Sequence, residues 1–252
     1  MSKVIVTMTT IPNRLDSKEY NGGLKPVLER MLSLSYGDYE LHLNIPYICK
    51  KTNEEYVIPE WLENLNDNKL KVFRTDDYGP LTKILPTLQR IDENEDVILI
   101  TVDDDLSYMD GFIEYHLLKR EKYPNSAIGF AGLTAIDGSC HFCTTVESDV
   151  RVKILEGYKT VSYRRSFFKD DFVNEFVGKG WNDDILISAY LGKHNIEKWV
   201  VNYDKDTDFS PRVESFPLVG HLPNDRGGCW WFRSENAHDN SDEYYKLGYL
   251  ER

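Results

Sequence analysis

The segment VILITVDDDL (97–106) joins a short apolar run to three consecutive aspartates. An almost wholly apolar run of this length is typical of a strand that is covered on both faces of a parallel sheet. Ligands of open α/β sheets bind beyond the carboxyl ends of such strands. The segment therefore predicts a central strand over 96–102 that ends at a binding site.

The chain that precedes this segment continues the same pattern. Short apolar runs predict three further strands, at 3–10, 40–46 and 70–75. Apolar residues at helical spacing predict helices over 23–35 and 81–91, and Pro86 must start or kink the second of these. Strands and helices that alternate in this order predict an α/β fold with a mostly parallel central sheet flanked by helices.

The second half of the sequence is less regular. It predicts helices over 109–124 and 181–196, a strand at 127–132, and one or two strands entering a helix within 152–168. The stretch 50–68 is predicted to be helix or loop, and the aromatic and polar tail 222–252 to wrap the surface. Because no repeat or low-complexity linker interrupts the chain, we predict a single domain over 1–252.

Composition excludes several functional classes. Of 252 residues, 30 are Lys or Arg and 42 are Asp or Glu, which gives a formal charge of −12 and argues against nucleic-acid binding, since that requires a basic face. No run approaches the roughly 20 apolar residues of a membrane-spanning helix, and the amino terminus lacks the pattern of a secretory signal. Four cysteines do not make a disulfide framework in a chain of this size. These features predict a cytoplasmic protein without a membrane span.

The three aspartates carry the sharpest chemical signal. Consecutive like charges repel, so a fold keeps them together only where solvent or a cation compensates them. The alternate carboxylates Asp103 and Asp105 can both reach one Mg²⁺ or Mn²⁺, ions that accept oxygen ligands and bridge phosphates. The alternative is a solvated acidic turn, because an Asp-x-Asp match by itself is common.

Five segments together resemble the GT-A glycosyltransferases, in particular the small enzymes of large DNA viruses and of bacterial capsule loci. The segments are VTMTTIPNR (6–14), DDYGPLTKILP (76–86), TVDDDL (101–106), EGYKTVSYRRSFF (156–168) and WNDDILISAYL (181–191). They occur in the family's order, and the tail beyond about 222 is not covered. The resemblance implies a GT-A fold that transfers a sugar from a nucleotide-diphosphate sugar, with a UDP-sugar as first guess, to a glycan acceptor. It also implies Mn²⁺ or Mg²⁺ as cofactor, a nucleotide-binding half at 1–106 and an acceptor and catalytic half at 107–221.

The resemblance further implies which residues contact the donor. They are Thr9, Thr10, Ile11, Pro12, Arg14, Asp76, Asp77, Lys83, Asp103 and Asp104. Asp76 and Asp77 would receive the base or ribose, and Lys83 would lie near the diphosphate as a point charge. The structural alternatives are a strand-ending turn with a solvent-exposed Arg14, and a surface lysine that is only solvated.

A second acidic pair, Asp183 and Asp184, begins the helix predicted at 181–196. By resemblance Asp184 is the catalytic base of an inverting reaction and Asp183 positions the acceptor. Such a carboxylate would take the proton of the acceptor hydroxyl as the hydroxyl attacks the anomeric carbon. Asn182 and Asp183 are also favourable N-cap and first-turn residues, and the two roles are compatible. Stereochemistry stays open, because retaining enzymes also carry Asp-x-Asp.

The remaining assignments by resemblance concern the metal and the acceptor. His221 would join Asp103 and Asp105 as a metal ligand, although a lone histidine is more often a satisfied core or surface residue. The residues assigned to the acceptor or the donor sugar are Glu156, Gly157, Arg164, Trp230 and Trp231. The alternatives for these are an edge strand with charged ends and packing of the aromatic tail onto the domain.

Two other functional classes stay open at the level of sequence. A non-catalytic glycan- or nucleotide-binding protein could use the same fold, although the presence of both acidic groups argues against it. A nucleotidyltransferase would share the sheet and the metal, but it would normally carry a Gly-rich basic loop near the amino terminus, and TTIPNR (9–14) is not one. The sequence contains neither the P-loop nor the dinucleotide-binding glycine motif.

Overall fold

The computed structural model describes residues 2–15, 23–106, 108–136, 139–144, 146–176 and 182–202. The predictions for the tail, His221, Trp230 and Trp231 lie outside these residues. The first half of the chain forms, in order, β1 (Lys3–Thr9), α1 (Pro12–Leu15), α2 (Leu24–Leu32), β2 (Glu40–Pro46), α3 (Glu60–Glu63), β3 (Leu70–Thr75), α4 (Leu85–Arg90) and β4 (Val97–Thr101). These bounds confirm the four predicted strands and the two predicted helices.

The second half adds more elements than the sequence predicts. They are α5 (Phe112–Lys122), β5 (Ala127–Gly129), β6 (Ala131–Ile136), β7 (Ser139–Thr144), β8 (Val150–Arg151), β9 (Ile154–Leu155), β10 (Val161–Arg164), α6 (Asp170–Phe176), α7 (Asp183–Lys193) and β11 (Lys198–Val200). The single strand predicted at 127–132 is wrong, because the chain leaves one sheet at Phe130 and enters another. The Phe130 ring is buried against Tyr115 and His116 of α5, which interrupts the strand there.

The main sheet has eight strands in the order β3-β2-β1-β4-β10-β5-β11-β8, and β7-β6-β9 form a second sheet. The strands from β3 to β4 are mutually parallel, as predicted. Strand β10 runs antiparallel to both of its neighbours, β4 and β5. The fold is therefore α/β, with a large, mixed and mostly parallel sheet in a single domain.

The core lies on both faces of this sheet. Successive residues of β1 point to opposite sides, so Val4 and Val6 pack in the cluster that includes α2, whereas Ile5 packs in the cluster that includes α4 and α7. Strands covered on both faces need near-continuous apolar sequence, and β4 is buried throughout. The prediction of helices on both faces is confirmed.

Helix starts follow the sequence signals. Pro86 is the second residue of α4, where its missing N–H costs no helical hydrogen bond, and a 3₁₀ turn (Leu81–Lys83) precedes that helix. Asn182 is the N-cap of α7, and its side chain accepts a hydrogen bond from the Ile185 N–H at 3.0 Å. Of the helices in the described ranges, none is both long enough and apolar enough to cross a bilayer.

Candidate functional site

The carboxyl ends of β1 and β4 lie side by side at one edge of the main sheet. In the parallel pairing Thr7 is opposite Thr101, so the residues after both strands emerge together. The Thr10 hydroxyl donates to an oxygen of Asp104 at 2.6 Å. The structure thus joins the TTIPNR turn to the aspartate run, two segments separated by about ninety residues.

Arg14 is part of this cluster. From helix α1 its guanidinium donates to Asp104 and, at 2.8 Å, to Asp105. Burial disfavours its charged form, but the neighbouring Asp104 and Asp105 charges outweigh burial and raise the pKa of Arg14. The alternative of an Arg14 exposed to solvent at a strand-ending turn is therefore wrong, since the residue is engaged by two carboxylates.

The three aspartates have different environments. Asp104 is buried between Thr10 and Arg14, whereas the side chains of Asp103 and Asp105 retain 25% and 21% exposure. Burial, and then the charge of Asp104, raise the pKa of Asp105 to about 6. The alternative of a simple solvated acidic turn does not hold, because Asp104 is enclosed and all three carboxylates are paired with Arg14 or Lys83.

Lys83 connects the aspartates to the second acidic pair. Its Nζ lies 2.7 Å from an oxygen of Asp103 and 3.0 Å from an oxygen of Asp183. The residue is buried, with 8% exposure, so the alternative of a solvated surface lysine is wrong. Burial opposes its charge, but Asp103 and Asp183 raise the pKa of Lys83 well above its ordinary value, and the residue is a cation between two carboxylates.

Asp184 is held by a backbone amide rather than by a cation. The N–H of Gly157 donates to its Oδ1 at 2.8 Å. A Cβ at Gly157 would lie 3.0 Å from that oxygen and 3.3 Å from Nζ of Lys83, which is closer than side chains normally tolerate. Burial, and then the charge of Asp183, raise the pKa of Asp184 well above its ordinary value. A side chain at position 157 would therefore press on the Asp184 carboxylate and the Lys83 ammonium group.

Glu156, the residue before this glycine, carries a buried carboxyl group. Its exposure is 1%, and neither of its side-chain oxygens has a hydrogen-bond partner among the described residues. Burial raises its pKa to about 7. An unpaired buried polar group is costly, so such a position calls for a functional or structural explanation.

A buried polar network beneath the site was not predicted. The carbonyl of Lys83 accepts from the Thr7 hydroxyl at 2.5 Å and from the Asn44 amide at 3.3 Å. Asn44 also donates to Thr87 and accepts from Arg90 at 2.6 Å. The signal that could have found this network is a polar residue, Thr7 or Asn44, between apolar neighbours in each of the strands β1 and β2.

Some predicted donor-site residues have other partners. Asp77 accepts from the backbone N–H groups of Lys50 and Gly79, each at 2.7 Å, and so closes the turn after β3. Asp76 is exposed beside it, and Ile11 is 38% exposed. These contacts give Asp77 a structural role, whereas the side chains of Asp76 and Ile11 are exposed to solvent.

Arg164 is not brought to the cluster. It pairs with Ile98 in the antiparallel ladder, and its side chain donates to the Pro124 carbonyl and to Asp96. Asp96 precedes β4, so these contacts lie at the opposite end of that strand from the aspartates. The prediction that Arg164 contacts the acceptor or the donor sugar is corrected by this placement.

The carboxylate oxygens of Asp103 and Asp105 suit a hard divalent cation as ligands. Asp103 gives one oxygen to Lys83 and Asp105 gives one to Arg14, which leaves the second oxygen of each carboxylate without a hydrogen bond in the described parts of the chain. Carboxylate oxygens are the ligands that Mg²⁺ and Mn²⁺ take. The described residues contain no group of three or more His, Cys, Asp or Glu disposed around one metal position. Two protein ligands, with phosphate and water as the others, fit Mg²⁺ chemistry.

Comparison with known proteins adds no assignment. No protein-family model matches the sequence. No curated protein matches it either. Function is therefore inferred from the residues of the site and their geometry.

Proposed function

We propose that this chain is a divalent-metal-dependent glycosyltransferase of the GT-A fold that uses a nucleotide-diphosphate sugar, with UDP-sugars the first donors to test and a glycan hydroxyl as acceptor. The observation that carries the proposal is that Lys83 binds both Asp103, in the aspartate run after β4, and Asp183, the residue before Asp184. The proposal thus combines a metal-binding acidic pair with a separate carboxylate suited to proton transfer.

Each part of the site has a chemical role in this proposal. When bound at Asp103 and Asp105, Mg²⁺ or Mn²⁺ would neutralise the diphosphate as it leaves. Lys83 and Arg14 would add positive charge to the same region. Thr9, Thr10 and Pro12 line the turn after β1 where the nucleotide would lie.

Asp184 would act on the acceptor. Its carboxylate would take the hydroxyl proton while the hydroxyl oxygen forms a bond to the anomeric carbon and the bond from that carbon to the diphosphate breaks. A raised pKa makes the ionised carboxylate a stronger proton acceptor. The Gly157 N–H fixes one oxygen of Asp184, and Asp183 is held by Lys83 at the start of the same helix.

Transfer and donor binding test the proposal separately. We expect hydrolysis or transfer of a UDP-sugar that requires Mn²⁺ and stops with a chelator. Asp184→Asn should retain UDP binding and lose transfer by at least about a hundredfold, in the range for loss of a general base. Asp105→Ala should lose metal-dependent UDP binding in a calorimetric titration.

Two results would contradict the proposal. Unchanged UDP binding by Asp105→Ala would remove the metal assignment, and full transfer by Asp184→Asn would remove the base assignment. Donor binding without any turnover on a panel of nucleotide sugars would favour the non-catalytic binding protein instead.

A further inference from the structure

Both cations of the site are already occupied by its carboxylates. Arg14 is bound to Asp104 and Asp105, and Lys83 to Asp103 and Asp183. Two of these pairs involve the carboxylates that would ligate a metal under the proposed function. The site therefore offsets part of the charge of its own aspartates with two protein cations.

A metal ion that arrives alone must compete with these cations. Lys83 Nζ lies 2.7 Å from Asp103, so a divalent ion on the same carboxylate would be only a few ångströms from an ammonium group. Repulsion between charges at such distances is strong in a partly buried site. The repulsion ends if the ammonium group moves to another anion, and a diphosphate supplies one.

We propose that Lys83, assisted by Arg14, is an exchangeable counter-ion that holds the site carboxylates until metal and diphosphate arrive together. The lysine then transfers from Asp103 to the diphosphate as the metal takes its place. Metal and nucleotide consequently bind with positive coupling, which is reciprocal between the two ligands. This inference rests on the proposed function and specifies how its donor site is loaded.

The placement of Lys83 suits such an exchange. Its backbone is anchored, because Thr7 and Asn44 both donate to its carbonyl. Its charge is carried on a flexible stem whose ammonium group is a point charge with three donors. A fixed backbone with a movable charge allows Nζ to change partners without disturbing the 3₁₀ turn that carries it.

Lys83→Met distinguishes exchange from a permanent structural ion pair. We expect Mn²⁺ alone, measured by the electron paramagnetic resonance of free Mn²⁺, to bind about tenfold more tightly to the variant than to wild type. UDP in saturating Mn²⁺, measured by calorimetry, should bind about tenfold more weakly. The coupling between the two ligands, typically 5- to 150-fold for coupled sites, should fall accordingly. A structural lysine would instead give weaker Mn²⁺ binding when removed, because the site would lose its order.

Controls separate the local effect from general damage. Lys119→Met removes another partly buried lysine, which pairs with Asp149 at 2.9 Å outside the site, and it should leave both affinities unchanged. Lys83→Arg keeps the charge and should retain weak binding of Mn²⁺ alone. If Lys83→Met does not fold, Lys83→Met combined with Asp183→Asn removes the unpaired carboxylate as well. The double variant should then bind Mn²⁺ more tightly than Asp183→Asn alone.

The outcomes also separate this inference from the proposed function. If wild type binds no Mn²⁺ even in the presence of UDP, the proposed function itself is wrong. If wild type binds both ligands but loss of the lysine charge leaves Mn²⁺ binding equal or weaker, only the exchange is overturned.

Discussion

Replacing Glu156 with glutamine tests whether this buried carboxyl group is protonated in the folded protein. Burial raises its pKa from the ordinary 4.5 to about 7, and neither oxygen has a hydrogen-bond partner in the part of the chain that the structure describes. At about 1.36 kcal/mol for each pH unit, this difference corresponds to about 3 kcal/mol. Glutamine has nearly the same shape and does not titrate.

The sign of the effect follows from proton linkage. Between pH 4.5 and about 7 the folded chain holds a proton on Glu156 that the unfolded chain has released. Stability therefore falls as pH rises through this window, because the folded state binds more protons. Above pH 7 the full cost is present. About 2 kcal/mol of it should develop between pH 5.5 and 8.5 by the same linkage.

Urea unfolding at pH 5.5, 7 and 8.5 measures this prediction. The buried glutamine amide adds its own cost, on the order of 1–3 kcal/mol, but that cost does not change with pH. The quantity to follow is therefore the difference in unfolding free energy between Glu156→Gln and wild type, which should shift in favour of the variant by about 2 kcal/mol as pH rises. Glu121→Gln, at an exposed position on α5, serves as control. A difference that stays constant to within about 0.5 kcal/mol would refute the raised pKa.

Two further predictions concern Asp184. Gly157→Ala would place a Cβ 3.0 Å from its Oδ1, so we expect transfer to fall by about tenfold or more while UDP binding is largely kept. The control is Gly37→Ala, where no atom of the described residues beyond its chain neighbours lies within 4 Å of the added Cβ, and it should match wild type. Unreduced transfer by Gly157→Ala would count against the Asp184 geometry. The rate of transfer should rise with pH through a pKa well above that of an ordinary aspartate, because burial and Asp183 favour the protonated form and only the ionised form accepts a proton. A rate profile that is flat above pH 4 would exclude Asp184 as the base.

The sequence was sufficient to predict the sheet edge at which these residues meet. Apolar runs mark β1 and β4, the position of the aspartates after β4 predicted a binding site there, and the resemblance assigned the TTIPNR turn and the aspartates to the same donor. The polar N-cap of α7 likewise located Asp183 and Asp184 at a helix start. These features are local, and periodicity and capping preferences report local structure well.

The pairings within the site could not be predicted. Whether Lys83 is solvated or buried between two carboxylates depends on contacts with residues 20 and 100 positions away, after β4 and at the start of α7. Nothing in the composition of 81–91 distinguishes the two cases. The same holds for Asn44, whose side chain is polar in an apolar strand and becomes explicable only when Thr7 and Thr87 are adjacent to it.

The direction of β10 explains both the presence of Gly157 and the absence of Arg164 at the site. Because β10 is antiparallel to β4, its first residue, Val161, lies opposite Thr101, next to the aspartates. The turn that precedes the strand is thereby carried to the carboxyl edge, where its glycine meets Asp184. The end of the strand is carried away, to Asp96. Thr160 between turn and strand has φ of 73°, an unfavourable value for a β-branched residue. The fold accepts this strain between Gly157, which holds Asp184, and the start of β10. Reversal of this one strand in an otherwise parallel region therefore completes the candidate site.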